Sequence, residues 1–162
     1  MLDPLKTVDA CARLLAEKNL TICFAESATA GALAYAFSLT EDAGTVLKGG
    51  IVCYDACIKT DLLSVPPELI EKFSPESAEV TTELAMRLRK VIDADLSVAV
   101  TGLTKPGGSE SPEKPVGTMF YTVVCNGEVH QMRIRSTGTP EAIVRRTIEQ
   151  IATTIVHIIR RE

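Results

Sequence analysis

Asp95-Leu96-Ser97-Val98-Ala99-Val100-Thr101 is almost continuously apolar and rich in β-branched residues. It constrains the fold more than any other stretch, because a strand without polar alternation has no face to give to water. Such a strand must be covered on both sides. Leu20-Thr21-Ile22-Cys23-Phe24-Ala25 is a second run of the same kind, and the neighbouring segments supply the cover. Leu5, Val8, Ala12 and Leu15 recur at helical spacing and predict an amphipathic helix over 4–18. Asp3-Pro4 starts it and Lys18-Asn19 ends it. The alanine- and leucine-rich segment 32–39 predicts a packed helix, and residues 40–44 a loop.

A strand is expected over 47–54, where Gly49-Gly50 imply close backbone approach or a bulge. Ile58, Leu62 and Leu63 suit a short helix stopped by Val65-Pro66-Pro67, and Pro67 starts another through about residue 73. Ser77 followed by Val80, Leu84, Leu88 and Val91 predicts a helix to about residue 92. Residues 116–125 and 129–135 flank Asn126-Gly127, the strongest hairpin signal in the chain. Thr139-Pro140-Glu141 opens a last helix with Ile143, Ile148, Ile151, Ile155 and Ile158 on one face. Strands alternating with helices predict an α/β domain with a partly parallel sheet, made mixed by the hairpin.

At 162 residues the chain is expected to form one domain. No apolar run reaches the roughly 20 residues of a membrane span. Met1 to Lys6 lacks a charged-then-apolar signal pattern, so a cytoplasmic location is expected. A net charge of −4 argues against nucleic acid as the main partner. The five cysteines (Cys11, Cys23, Cys53, Cys57 and Cys125) show no paired ligand spacing, and His130 and His157 stand apart. They read as buried or idle thiols in a reducing compartment, without a metal.

Polar residues collect where the strands end, the edge at which open α/β sheets bind ligands. The first strand ends at Glu26-Ser27-Ala28-Thr29-Ala30-Gly31, the second at Tyr54-Asp55 with Lys59 a turn later, the third at Thr101-Gly102. If these strands are neighbours, Ser27, Tyr54 and Lys59 face one crevice. A serine needs a base to act as a nucleophile, and a lysine serves when desolvation lowers its pKa. Tyr54 could orient that lysine or relay a proton. Amides near 28–31 could stabilise an oxyanion or bind a phosphate. The blander readings stand beside these: Ser27 or Thr29 as a helix cap, Lys59 solvated, Tyr54 packing, Arg145-Arg146 on a solvated helix face. Residues 103–115, with three prolines and two glycines, form a long loop of the functional or disordered kind, and lack a phosphate-loop pattern.

At these same positions the chain resembles the C-terminal domain of the competence/damage-inducible CinA proteins, the nicotinamide-nucleotide amidase family, in a stand-alone form. Glu26-Ser27-Ala28-Thr29-Ala30-Gly31 is similar to the family's Glu-Ser-Cys/Thr-Thr-Gly-Gly segment. Gly49-Gly50 through Tyr54 and Lys59 follow the spacing of a second family segment. Thr101-Gly102-Leu103-Thr104-Lys105-Pro106-Gly107-Gly108, then Glu113-Lys114-Pro115-Val116-Gly117, resembles a third, long and unusual one. The likeness runs over about residues 5–160.

The resemblance implies a three-layer αβα domain with a mixed sheet of five to six strands. It implies metal-independent hydrolysis of the amide of nicotinamide mononucleotide to nicotinic acid mononucleotide and ammonia, in pyridine-nucleotide salvage, without a cofactor. Carried over position by position, Ser27 is the acylated nucleophile, Lys59 its base and Tyr54 a supporting group. Glu26, Thr29, Gly31, Thr101, Gly102, Lys105, Gly107, Gly108 and Arg145 form the nucleotide pocket. The expected partners are that small-molecule nucleotide and a second copy of the chain, with no nucleic acid and no membrane. The chain departs from the pattern at Ala28, at Ala30, at Asp55-Ala56 and at Leu103-Thr104-Lys105. An ion pair between Asp55 and Lys59 would keep that lysine protonated. The alternative is a non-catalytic nucleotide-binding or interaction module on the same fold.

Overall fold

The computed structural model describes residues 4–161, so the helix start at Asp3 lies outside the described residues, as does the Leu5 side chain. Five strands form one sheet in the order β2-β1-β3-β4-β5. These are β1 (Ile22–Glu26), β2 (Leu47–Val52), β3 (Leu96–Gly102), β4 (Thr118–Cys125) and β5 (Glu128–Arg135). The first three run parallel, and the β4–β5 hairpin adds two antiparallel strands. The turn is Asn126-Gly127, both with positive φ (49° and 80°), the conformation a two-residue hairpin needs.

Helices cover both faces, as the apolar β1 and β3 require. On one face lie α1 (Pro4–Glu17), α2 (Ala32–Ser38) and the 22-residue α7 (Pro140–Arg161). On the other lie α4 (Ala56–Leu63), α5 (Pro67–Phe73) and α6 (Ala78–Leu88). Period-two alternation sorts β1 between them. Ile22 and Phe24 enter the α1–α7 core, where the Phe24 and Phe37 rings lie 5.0 Å apart. Cys23 and Ala25 enter the α4–α6 core with Leu63, Leu84 and Leu88. The result is a three-layer αβα architecture.

Several boundaries differ from the sequence expectation. Residues 43 and 44, the end of the expected 40–44 loop, instead begin the short helix α3 (Ala43–Val46) that delivers the chain to β2. The second strand stops at Val52 instead of 54, because Asp55 already caps α4 by accepting from the Cys57 amide at 2.7 Å. The Gly49-Gly50 expectation holds in both senses. The β1–β2 register slips by one residue at Lys48, and a Cβ on Gly50 would stand 2.8 Å from the Phe24 carbonyl oxygen. Ser77 caps α6 through the Val80 amide, as its position suggests, although the helix ends at Leu88 and continues only as turns to Ile92.

The connection β1-α2-α3-β2 moves to one side of β1 over one face. The connection β2-α4-α5-α6-β3 returns to the other side over the opposite face, as right-handed crossovers demand. The chain therefore reverses direction at β1. That opens a crevice beyond the carboxyl ends of β1 and β3.

Candidate functional site

Glu26 and Ser27 leave β1 on opposite faces, and this alternation assigns them different tasks. The Glu26 side chain goes to the α2 face and is 1% exposed. Its carboxylate accepts from the Gly31 and Leu33 amides at 3.0 Å, the Ala34 amide at 2.7 Å and the Thr29 hydroxyl at 2.6 Å. It therefore does the capping that sequence reasoning gave to Ser27 or Thr29. The N-cap residue is Gly31, which makes no side-chain cap bond. A negative charge at the start of α2 complements the positive end of the helix dipole. Glu26, Thr29 and Gly31, named as pocket residues, are thus bonded to one another. Thr29 also lines a cleft described below.

Ser27 continues the ladder, its amide donating to the Val100 carbonyl at 3.0 Å, and its side chain goes to the α4 face. There it meets Lys59. Lys59 Nζ lies 3.0 Å from Ser27 Oγ, with Ser27 6% and Lys59 1% exposed. Two backbone carbonyls accept from the same nitrogen, Cys53 at 2.6 Å and Tyr54 at 3.3 Å. A neutral lysine has two N–H groups and one lone pair. With the N–H groups on the two carbonyls, the lone pair is left for the serine hydroxyl.

Burial holds the Lys59 pKa below the ordinary lysine range, opposed by Cys53, Glu76 and Asp55. Burial also pushes the Cys53 thiol up, so at neutral pH it carries no charge to hold a proton on Lys59. Among the described residues, Asp55 and Lys59 form no ion pair. Asp55 is the N-cap of α4, and the salt bridges among the described residues are Arg87–Glu83 and His130–Glu128. Tyr54 supports Lys59 through its backbone carbonyl. Its side chain is 56% exposed at the mouth of the site.

Two adjoining cavities meet at Ala28, Tyr54 and Thr104. The smaller, about 200 Å³, holds Ser27, Glu76, Gly102, Lys105, Gly107 and Gly108. The larger, about 570 Å³, is a mainly apolar cleft between α2 and α7 that includes Tyr35, Val144 and Arg145. Gly102 is required at its position, because a Cβ would meet Met119 sulfur at 2.3 Å and the Thr118 carbonyl at 2.8 Å. Thr101 is fully buried, with its hydroxyl on Thr81 of α6 at 2.8 Å, so it braces β3 behind the cavity. The Gly107 and Gly108 amides both bind the Glu110 carboxylate at 2.8 Å. Arg145 faces the cleft, whereas Arg146 bonds the Thr137 carbonyl.

Next to Ser27, the turn closes with the Ala30 amide on the Ser27 carbonyl at 3.0 Å. Ala30 has φ 48°, a left-handed conformation costing a Cβ-bearing residue about 1 kcal/mol. Among the described residues, the Ala28 and Thr29 amides donate to no protein acceptor. Two unengaged N–H groups therefore follow the nucleophile candidate directly, as an oxyanion site needs. Glu76 and Tyr35 escaped sequence reasoning. Glu76 stood only as the residue before a helix cap, and Tyr35 as part of an alanine-rich packing helix.

Comparison with known proteins agrees with this architecture. The family model for the CinA C-terminal domain matches residues 5–159. A CinA-like protein of Cytophaga hutchinsonii is 34% identical over 151 residues, covering 93% of this chain and 35% of that protein. One from Fervidobacterium nodosum is 34% identical over 146 residues, covering 90% and 36%. The chain thus spans about a third of the length of these curated relatives. A competence-damaged protein (CinA) superfamily structure from Escherichia coli superposes with a TM-score of 0.90 at 26% identity, covering 96% of this chain and 90% of that one. The competence/damage-inducible protein CihA of Agrobacterium tumefaciens gives 0.86 at 27%, covering 93% and 94%. A Klebsiella pneumoniae member of the superfamily shares the fold over 99% of this chain and 100% of its own, with a TM-score of 0.94 at 24% identity. A five-stranded mixed αβα sheet with a strand-end serine, matched across almost its whole length, belongs to the CinA C-terminal domain family.

Proposed function

We propose that this protein is a serine amidohydrolase that converts nicotinamide mononucleotide to nicotinic acid mononucleotide and ammonia. The observation that carries the reading is the buried 3.0 Å contact between Lys59 Nζ and Ser27 Oγ, with no carboxylate among the described residues paired to the lysine. Neutral Lys59 takes the hydroxyl proton as Ser27 Oγ attacks the carboxamide carbon. The oxyanion that forms is stabilised by the Ala28 and Thr29 amides. The ammonium of Lys59 then gives its proton to the leaving nitrogen, ammonia departs, and an ester to Ser27 remains. Lys59 next removes a proton from water, which attacks the ester, and the proton returns to Ser27 as the acid leaves. Nucleophile and base both come from the chain, so no step is assigned to a metal or cofactor. Arg145 at the cleft and Lys105 at the smaller cavity are the cations available for the phosphate.

The test is ammonia release from nicotinamide mononucleotide by the purified protein, with and without chelator. Ser27→Ala abolishes release, and Lys59→Ala lowers kcat by about 10³-fold. Thermal stabilisation by the nucleotide with no ammonia at micromolar enzyme overturns the amidase reading in favour of a binding module.

A further inference from the structure

The Ser27–Lys59 pair has a carboxylate neighbour from a third element. Glu76 sits in the turn between α5 and α6, just ahead of the Ser77 cap, and lines the same cavity as Ser27. The opposite wall is the loop after β3. Ser109 of that loop donates to a Glu76 carboxylate oxygen. Lys114 Nζ completes the join, donating to Ser109 Oγ at 2.7 Å, Ser74 Oγ at 2.6 Å and the Glu76 carbonyl at 2.8 Å. The Gly107 and Gly108 bonds to Glu110 are internal to the loop. Among the described residues, Ser109 is the one member of 104–110 whose hydrogen bonds reach outside the loop.

We propose that Glu76 is a positioning residue of this site, clasping the loop against the Ser27 cavity through Ser109 while presenting a negative charge to Lys59. The loop carries Lys105, Gly107 and Gly108 in the wall of the cavity. The Ser109–Glu76 bond ties this stretch to the α5–α6 turn, and Lys114 adds bonds to Ser74 and the Glu76 carbonyl from the far end of the loop. The groups facing Lys59 are Cys53 and Asp55 from the β2–α4 connection and Glu76 from the α5–α6 turn. Cys53 is a neutral thiol, Asp55 is bonded to the Cys57 amide, and Glu26, behind Cys53, is committed to α2. Glu76 is therefore the carboxylate inside the cavity that favours the Lys59 ammonium. Lys114 faces Glu76 from the loop side. One side chain thereby links where the loop sits to how readily Lys59 releases its proton.

The proposal rests on the amidase reading only for its kinetic readout. The experiment uses the full chain, labelled with ¹³C at lysine Cε, as wild type, Glu76→Gln and Ser109→Ala, with Lys59→Arg to assign the Lys59 signal. Glu76→Gln moves the Lys59 titration to lower pH, while Ser109→Ala leaves the Glu76 charge in place and moves it less. Ser109→Ala speeds amide exchange across 104–110 by about tenfold, the loss of one charge-assisted hydrogen bond. In the ammonia assay, Glu76→Gln shifts the acid limb of kcat/KM to lower pH, and Ser109→Ala raises KM by about tenfold with kcat little changed. An unmoved Lys59 titration in Glu76→Gln, or wild-type exchange in Ser109→Ala, overturns the proposal. Both nuclear magnetic resonance readouts hold whether or not the nucleotide is hydrolysed, so failure of the amidase reading registers separately.

Discussion

Replacing Glu26 by glutamine tests whether a buried carboxylate is what fastens α2 to the end of β1. The wild-type side chain takes four donors, three on one oxygen and the Ala34 amide on the other. A glutamine carbonyl can keep the first three by occupying that oxygen's place. Its NH2 group must then face the Ala34 N–H, donor against donor. The lost charge-assisted bond costs about 1.5–3 kcal/mol. Loss of the charge at the helix start costs about 0.3–2 kcal/mol more. Removing a charge from a site that is 1% exposed returns part of this. The net expectation is a destabilisation of about 2–4 kcal/mol, or about 5–15 °C in Tm for a domain of this size. Urea and thermal unfolding followed by circular dichroism measure it, with amide exchange in α2 showing where the loss falls. Unfolding free energy within about 0.5 kcal/mol of wild type refutes the reasoning. So does a loss of ammonia release at low temperature with stability intact, which would place Glu26 at the substrate.

Three further outcomes follow from the same geometry. The unfolded lysine binds its proton up to about pH 10.4, while native Lys59 has released its own at lower pH. Wild-type stability therefore rises with pH across that window relative to Lys59→Met, and urea melts from pH 7 to 10 showing a constant difference would refute the lowered pKa. Gly50→Ala forces a Cβ against the Phe24 carbonyl and costs about 1–3 kcal/mol, measured by urea unfolding. Arg145→Ala raises KM for the nucleotide without changing Tm, whereas Arg146→Ala loosens the loop before α7 and leaves KM unchanged, since only Arg145 faces the cleft.

The sequence singled out Ser27, Lys59 and Tyr54 as candidates by type and position, yet it offered several roles for each. Glu26 shows why. In sequence it is a polar residue beside a candidate nucleophile, indistinguishable from a substrate ligand. Its carboxylate turns to α2 because strand alternation sends it to the face opposite Ser27. Residue pattern alone does not separate Arg145 from Arg146, the family resemblance favours Arg145, and the packing of α7 places Arg145 at the cleft and Arg146 on the Thr137 carbonyl. Glu76 carried no signal, since its place in the site depends on the 103–115 loop folding back across the α5–α6 turn.

The features legible in the residues alone are local: a β3 too apolar for water on either face, helices at 3.6-residue spacing, and an Asn-Gly hairpin. These depend on neighbours within a few residues, and they suffice for an α/β fold. The strand order β2-β1-β3 and the burial of Lys59 against a serine 32 residues away emerge only from packing between distant segments. Crossover handedness and two-sided packing set that order, and they act between segments whose separation along the chain carries no record of their contact. Burial supplies the rest, because a lysine becomes a base only when its surroundings leave the ammonium poorly solvated.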